Sequence, residues 1–203
     1  MKLLLIAPAL CAAFVAARPA SGPAAATPAA APQTWTIDPV HSSVVFRVKH
    51  ANAAWFYGGF KTIKGDVVYD PAKPEAGRVT LEIAADSVDT RDPKRDTHLK
   101  SPDFFDAKQF PTISFTSTRI AAAKEKDTFD VTGDLELHGV KKSVTIKVEK
   151  TGEGEFQGKR IGFETMATIK RSEFKMDYGI AQNVLGDDVT LKISVECIEK
   201  KKD

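Results

Sequence analysis

Cysteine is nearly absent from this chain of 203 residues: only Cys11 and Cys197 occur, and Cys11 lies in an apolar N-terminal segment. No disulfide framework holds the fold, which must be stabilised by packing. Beyond the N-terminus no apolar run reaches about 18 residues, which excludes a membrane-spanning helix there. Charge of one sign is also missing. Lys2 and Arg18 are the only charged residues among the first 33, and setting them aside from the 29 basic residues leaves 27, against 27 acidic. The remainder is neutral by count and carries no basic stripe, so no nucleic-acid partner is expected.

Motifs for catalysis and metal binding are absent too. No GxSxG, P-loop or GxGxxG stands between a strand and a helix, and there is no CxxC. The four histidines, His41, His50, His98 and His138, lack the i, i+2 or i, i+4 spacing of a ligand pair. Each reads as a strand or helix-cap residue, and neither metal nor cofactor is expected. Cys197 shares parity with Val195 and reads as an inward, inert thiol.

What is present begins with an export signal. Met1-Lys2 forms a short positive start, Leu3 to Ala17 an apolar stretch ending in small residues, and cleavage after Ala17 is expected. A buried helix would be broken by Pro8, and Leu10 before Cys11 does not suit lipoprotein processing. Residues 18–33 are Ala/Pro-rich without large apolar side chains and read as a disordered tether. A domain over residues 34–199 and a charged tail over 200–203 complete the expected organisation, with the protein placed in the periplasm or secreted.

From Thr34 onward the dominant period is two, the signature of half-buried strands. Val44, Phe46 and Val48 share one face; Val79, Leu81 and Ile83 another; Phe129, Val131, Gly133, Leu135 and Leu137 a third. The same alternation runs through 113–116, 144–148, 161–169 and 189–197. With a strand around Phe60 to Tyr69, this predicts an all-β fold of about eight antiparallel strands. Each has one apolar face, which closure into a barrel would bury while removing the edges; a sandwich is the structural alternative. Asp92-Pro93 and Ser101-Pro102 each pair an N-cap residue with a first-turn proline, predicting short helical turns over 93–100 and 102–106. Phe104, Phe105 and Phe110 crowd that segment, which would cross an open end of the barrel.

An eight-stranded barrel is about the smallest that can enclose a small ligand. Burying a dozen CH2 groups at ~0.8 kcal/mol each supplies roughly 10 kcal/mol before association costs, so an apolar ligand needs no charged motif.

Several segments in order resemble the YceI-like, polyisoprenoid-binding periplasmic family over residues 34–199. They are Asp38-Pro39-Val40-His41-Ser42, residues 45–50 (VFRVKH), 55–61 (WFYGGFK), 95–106 (RDTHLKSPDFFD), 110–117 (FPTISFTS), 133–142 (GDLELHGVKK) and Gly162-Phe163-Glu164. The resemblance implies a lipocalin-like barrel of eight antiparallel strands around a long isoprenoid or other lipid chain. It also implies export to the periplasm and, for some relatives, an isoprenoid quinone or polyprenyl pyrophosphate as ligand. Ile63 departs from the pattern where many members carry an aromatic, which would alter the cavity wall, and Lys142 stands where proline is common.

Parity assigns Phe46, Val48, Leu81, Ile83, Phe115, Leu135, Ile146, Phe163 and Ile193 to the wall of an apolar tunnel. Trp55, Tyr57, Phe104 and Phe105 are placed near its ends, and Arg95 and His98 where they could meet a head group or fix the helix. Strands of about ten residues tilted by ~40° give a barrel roughly 25 Å tall, so a very long chain would fold back or protrude. The leading reading is a non-enzymatic carrier or storage protein. An enzyme using His98, Arg95 or His41 as acid–base groups, and an exported stress or interaction module with a packed barrel, are the alternatives. Exposed aromatics at the mouth would suit transient membrane contact or a homodimer.

Overall fold

Wherever apolar and polar side chains alternate, the chain runs as a strand with its apolar side turned to a common interior. The computed structural model describes residues 32–201; the expected signal peptide, nearly all of the tether and the last two residues of the tail lie outside that range. The described residues contain eleven strands: β1 (Gln33–Ile37), β2 (Ser43–His50), β3 (Ala54–Phe60), β4 (Ile63–Tyr69), β5 (Arg78–Ala84), β6 (Val88–Asp89), β7 (Thr112–Ala122), β8 (Thr128–Leu137), β9 (Val140–Glu155), β10 (Lys159–Lys170) and β11 (Leu185–Glu199).

Eleven strands make eight staves, because three staves are broken midway. β11 pairs on one side with β10 and on the other with both β2 and β1. β2 and β1 are thus two halves of one stave, interrupted over 38–42. In the same way β3 pairs with β2 and β4 with β1, while β5 pairs with β4 and β6 with β3. From β5 the order continues through β7, β8, β9 and β10 back to β11. All pairings are antiparallel and, apart from the closing one, join staves adjacent in sequence, so the barrel is an up-and-down meander of eight staves, closed by β11 against β1 and β2. Closure pairs the edges that a sandwich would expose.

The turns carry the backbone geometry that their lengths demand. His138 and Gly139 alone join β8 to β9, with φ of 51° and 70°. Two successive left-handed residues match the twist of a tight hairpin. His138, which alternation places on a strand's outer face, is therefore a turn residue, and its Nδ1 donates to the Phe174 carbonyl at 3.0 Å. A side chain at Gly139 would collide with the Phe110 ring, 2.4 Å from the position of a Cβ.

One barrel end is crossed by the long connection between β6 and β7, which holds α1 (Pro93–Leu99). Asp92 caps it, Oδ1 accepting the amides of Lys94 and Arg95 at 3.0 Å each, and Pro93 occupies the first turn where no amide is needed. The helical turn expected over 102–106 is instead a compact turn. The Phe105 amide returns to the Leu99 carbonyl and that of Ala107 to Lys100, and Asp106 takes a φ of 42°, which turns the chain back over the barrel. At the opposite end Tyr69 meets Phe129 and Phe163 edge-on, at ring separations of 6.0 and 5.8 Å.

Candidate functional site

The staves do not fill their own interior. A cavity of about 230 Å³ extends from Phe104, Phe105 and Met176 at the α1 end to Tyr69, Ile120 and Phe129 at the other. Its wall follows from strand parity and register: Leu81 lies opposite Phe115, Phe115 opposite Leu135, Phe46 opposite Leu191 and Val131 opposite Ile146. Phe46, Val48, Leu81, Ile83, Phe115, Leu135, Ile146, Phe163 and Ile193 all border the cavity. Phe104 and Phe105 border it from the turn after α1, and the Phe105 ring packs edge-on against Phe60 at 5.3 Å. Glycines make room for the aromatic wall. A Cβ at Gly58 would stand 2.4 Å from the Phe46 ring and one at Gly133 2.5 Å from that of Phe115.

Trp55 and Tyr57 require a correction, since they are not in the lining. β3 reaches the interior through Phe60, so parity turns Gly58 and Phe56 inward and Tyr57 and Trp55 outward. Trp55 packs instead beneath the Arg47 guanidinium, 4.4 Å from its ring centre. Ile63 is buried in the core beside Ile37, Ile83 and Val67 and is not among the cavity-lining residues, so its departure from the family pattern does not reshape the wall directly.

Arg95 and His98 also lie off the cavity. Arg95 donates through Nε and Nη2 to the Thr90 hydroxyl and carbonyl, both at 2.8 Å, and stacks on Phe56 at 4.4 Å. His98 Nε2 donates to Asp103 at 2.8 Å while its ring meets Phe104 and Tyr178 edge-on. Of the two roles open to these residues, the geometry places them in fixing the helix against the barrel.

The cation that does border the cavity is Arg171, for which the strand pattern carried no signal. It is 4% exposed, and its guanidinium donates only to backbone carbonyls: Gly186 at 2.8 Å, Met176 at 2.6 Å, Tyr178 at 2.8 Å and Leu185 at 3.3 Å. Burial pulls its pKa below the usual arginine value. Arg171 thus ties the loop between β10 and β11 over the α1 end. Phe60, Tyr69 and Met176 are further lining residues that the sequence reasoning did not name; the first two sit on strands whose parity could have revealed them.

A polar cluster lies on the outer face of the wall, where β10 and β11 meet the break between β1 and β2. Asp38 bridges the break between β1 and β2, its carboxylate accepting from the Val40 amide at 3.0 Å, His41 Nδ1 at 2.8 Å and Arg160 Nη1 at 2.9 Å. His41 and Arg160 hold this carboxyl well below the ordinary carboxylate range, against the opposing effect of burial. Asp38, His41 and Glu196 converge closely enough to suggest metal ligands. However, the Arg160 guanidinium already contacts both carboxylates and supplies the positive charge.

A profile of the YceI-like domain matches residues 35–197. The chain belongs to the YceI-like family. It is 41% identical to the protein YceI of Escherichia coli over 165 residues, covering 79% of this chain and 83% of that one. Among solved structures it resembles Burkholderia cenocepacia BcnA, with a TM-score of 0.72 and 29% identity over 79% of this chain and 98% of the other. A polyisoprenoid-binding domain from Saccharophagus degradans shares the fold, with a TM-score of 0.65 at 18% identity over 83% of this chain and 99% of that domain.

Proposed function

We propose that this protein is an exported, non-catalytic carrier or store for a long apolar chain, an isoprenoid or similar lipid, held within the barrel. The observation that carries the reading is the continuous apolar cavity along the barrel axis. A packed core would have filled it, since protein interiors leave few voids larger than a water molecule. Such a cavity gains free energy from hydrocarbon and offers little to a polar ligand. The shared fold with a polyisoprenoid-binding domain supports an isoprenoid as the chain. A binding role rather than an enzymatic one is supported by the placement of His98, Arg95 and His41, none of which borders the cavity.

Export to the periplasm rests on the N-terminal sequence alone: a short positive start, an apolar stretch and small residues at the expected cleavage point.

The test is mass spectrometry of an organic extract from protein purified without detergent. A single lipid species near one equivalent per chain is expected. An extract with no stoichiometric lipid would contradict the reading.

A further inference from the structure

The outer face of β10, β11, β2 and β3 is unlike the rest of the barrel's exterior. Register sets its side chains in rows. Met166 lies opposite Lys192, which lies opposite Val45, which faces Gly59. In the next row toward the α1 end Arg47 lies opposite Tyr57, and beyond it Lys49 opposite Trp55. Gly59 has no side chain to separate Val45 from Tyr57, so the apolar groups adjoin. Trp55 and Tyr57 are 44% and 55% exposed, and Met166 67%.

The charges of this face are unbalanced. Lys192 is matched by Glu164 at 3.1 Å and Lys170 by Asp188 at 3.0 Å. Arg47 makes no ion pair or hydrogen bond among the described residues, and its buried Nε is without a partner. Lys49 reaches only the Ala53 carbonyl, at 3.3 Å. Both cations pack against Trp55, at 4.4 and 5.0 Å from the ring centre. Two cations without acids therefore stand among exposed aromatic side chains beside the α1 end of the cavity.

We propose that this face docks the barrel onto an anionic phospholipid surface. Tryptophan and tyrosine favour the boundary between head groups and acyl chains, and arginine and lysine meet lipid phosphates there. A second copy of this chain is the poorer fit. An isologous contact centred on Arg47 and Lys49 would bring these cations against their own counterparts, while the acids of the face, Glu164 and Asp188, are already paired with Lys192 and Lys170. The proposal goes beyond cargo binding and does not depend on it, since the side chains concerned face away from the cavity.

The experiment measures sedimentation of the exported protein, processed after Ala17, with vesicles of phosphatidylcholine, with and without phosphatidylglycerol, for the wild type, Arg47→Ser/Lys49→Ser and Trp55→Ser. Trp35 and Trp55 are the only tryptophans and Trp35 is buried, so a shift in emission on vesicle binding reports on Trp55. Binding should require phosphatidylglycerol, weaken with salt, and shift the emission to the blue. The double variant should bind about 30-fold more weakly. All variants should keep the wild-type circular dichroism and the same extracted lipid. Equal binding to neutral vesicles, unchanged binding in the double variant, or an unshifted emission would each overturn the proposal. So would a concentration-dependent dimer in sedimentation equilibrium that Trp55→Ser abolishes. Loss of extractable lipid from every protein, wild type included, would instead count against the carrier reading and leave the vesicle result to stand by itself.

Discussion

Arg160 donates to the Asp38 carboxylate at 2.9 Å across 122 residues of sequence, joining the start of β10 to the break between β1 and β2. The contact fixes the break where the first stave changes from one half to the other, beside the closing pairs of the barrel. A carboxyl held below its ordinary value of 3.8 binds fewer protons folded than unfolded. Its stabilisation is therefore complete above about pH 5 and is lost as the pH falls through about 4 toward the folded value. Asp38→Asn should lower the melting temperature at pH 7, and the gap from wild type should narrow between pH 5 and pH 3, read by thermal denaturation in that series. A gap independent of pH would contradict the assignment.

Arg171 holds the β10–β11 loop through carbonyls alone, so no aliphatic side chain can replace it. Arg171→Met leaves buried acceptors unsatisfied and should cost about 3 kcal/mol or more in urea denaturation. Arg171→Lys keeps the charge but not the planar fork, and should recover only part of that loss. Wild-type stability in the methionine variant would show that the four contacts do not fasten the loop.

Gly58 shapes the cavity by leaving space for Phe46. Gly58→Ala would press the ring toward the interior, costing about 1–3 kcal/mol as overpacking does. It should also reduce the lipid recovered per chain. Unchanged melting temperature and unchanged extract together would refute the role given to the glycine.

Cys197 is fully buried, and burial pushes its thiol up to about 12. Peptide mapping after treatment with maleimide at pH 8 should find Cys197 unmodified in the native protein and modified after denaturation in guanidinium. Rapid native labelling would mean that β11 opens far more readily than its pairing on both sides implies.

Parity made the inner wall legible: nine strand residues named for it border the cavity, because a half-buried strand has only two faces and Phe46, Leu81 or Phe163 can occupy only one. The errors arose where the count lost its anchor. In β3 two glycines separate Tyr57 from Phe60, and without a decision on Phe60 the exposed Trp55 and Tyr57 look like mouth residues. The Ser101-Pro102 signal is a true cap chemistry, but the carbonyls at 99 and 100 capture the following amides and bend the chain back before a helix forms. Breaks at 38–42, 61–62 and 85–87 split three staves without interrupting the alternation enough to show. Arg171 left no trace, since its partners are backbone carbonyls that no side-chain pattern encodes.

The central claim is that the barrel interior holds an apolar chain. Native mass spectrometry of the detergent-free protein, wild type against Leu135→Trp, tests it most directly. The tryptophan projects into the cavity, whose empty volume can take the added ring without strain on the staves. The account predicts a wild-type mass raised by one lipid per chain, and a Leu135→Trp variant that is folded but carries none. A wild-type protein of bare polypeptide mass, or an adduct retained in full by Leu135→Trp, would contradict it.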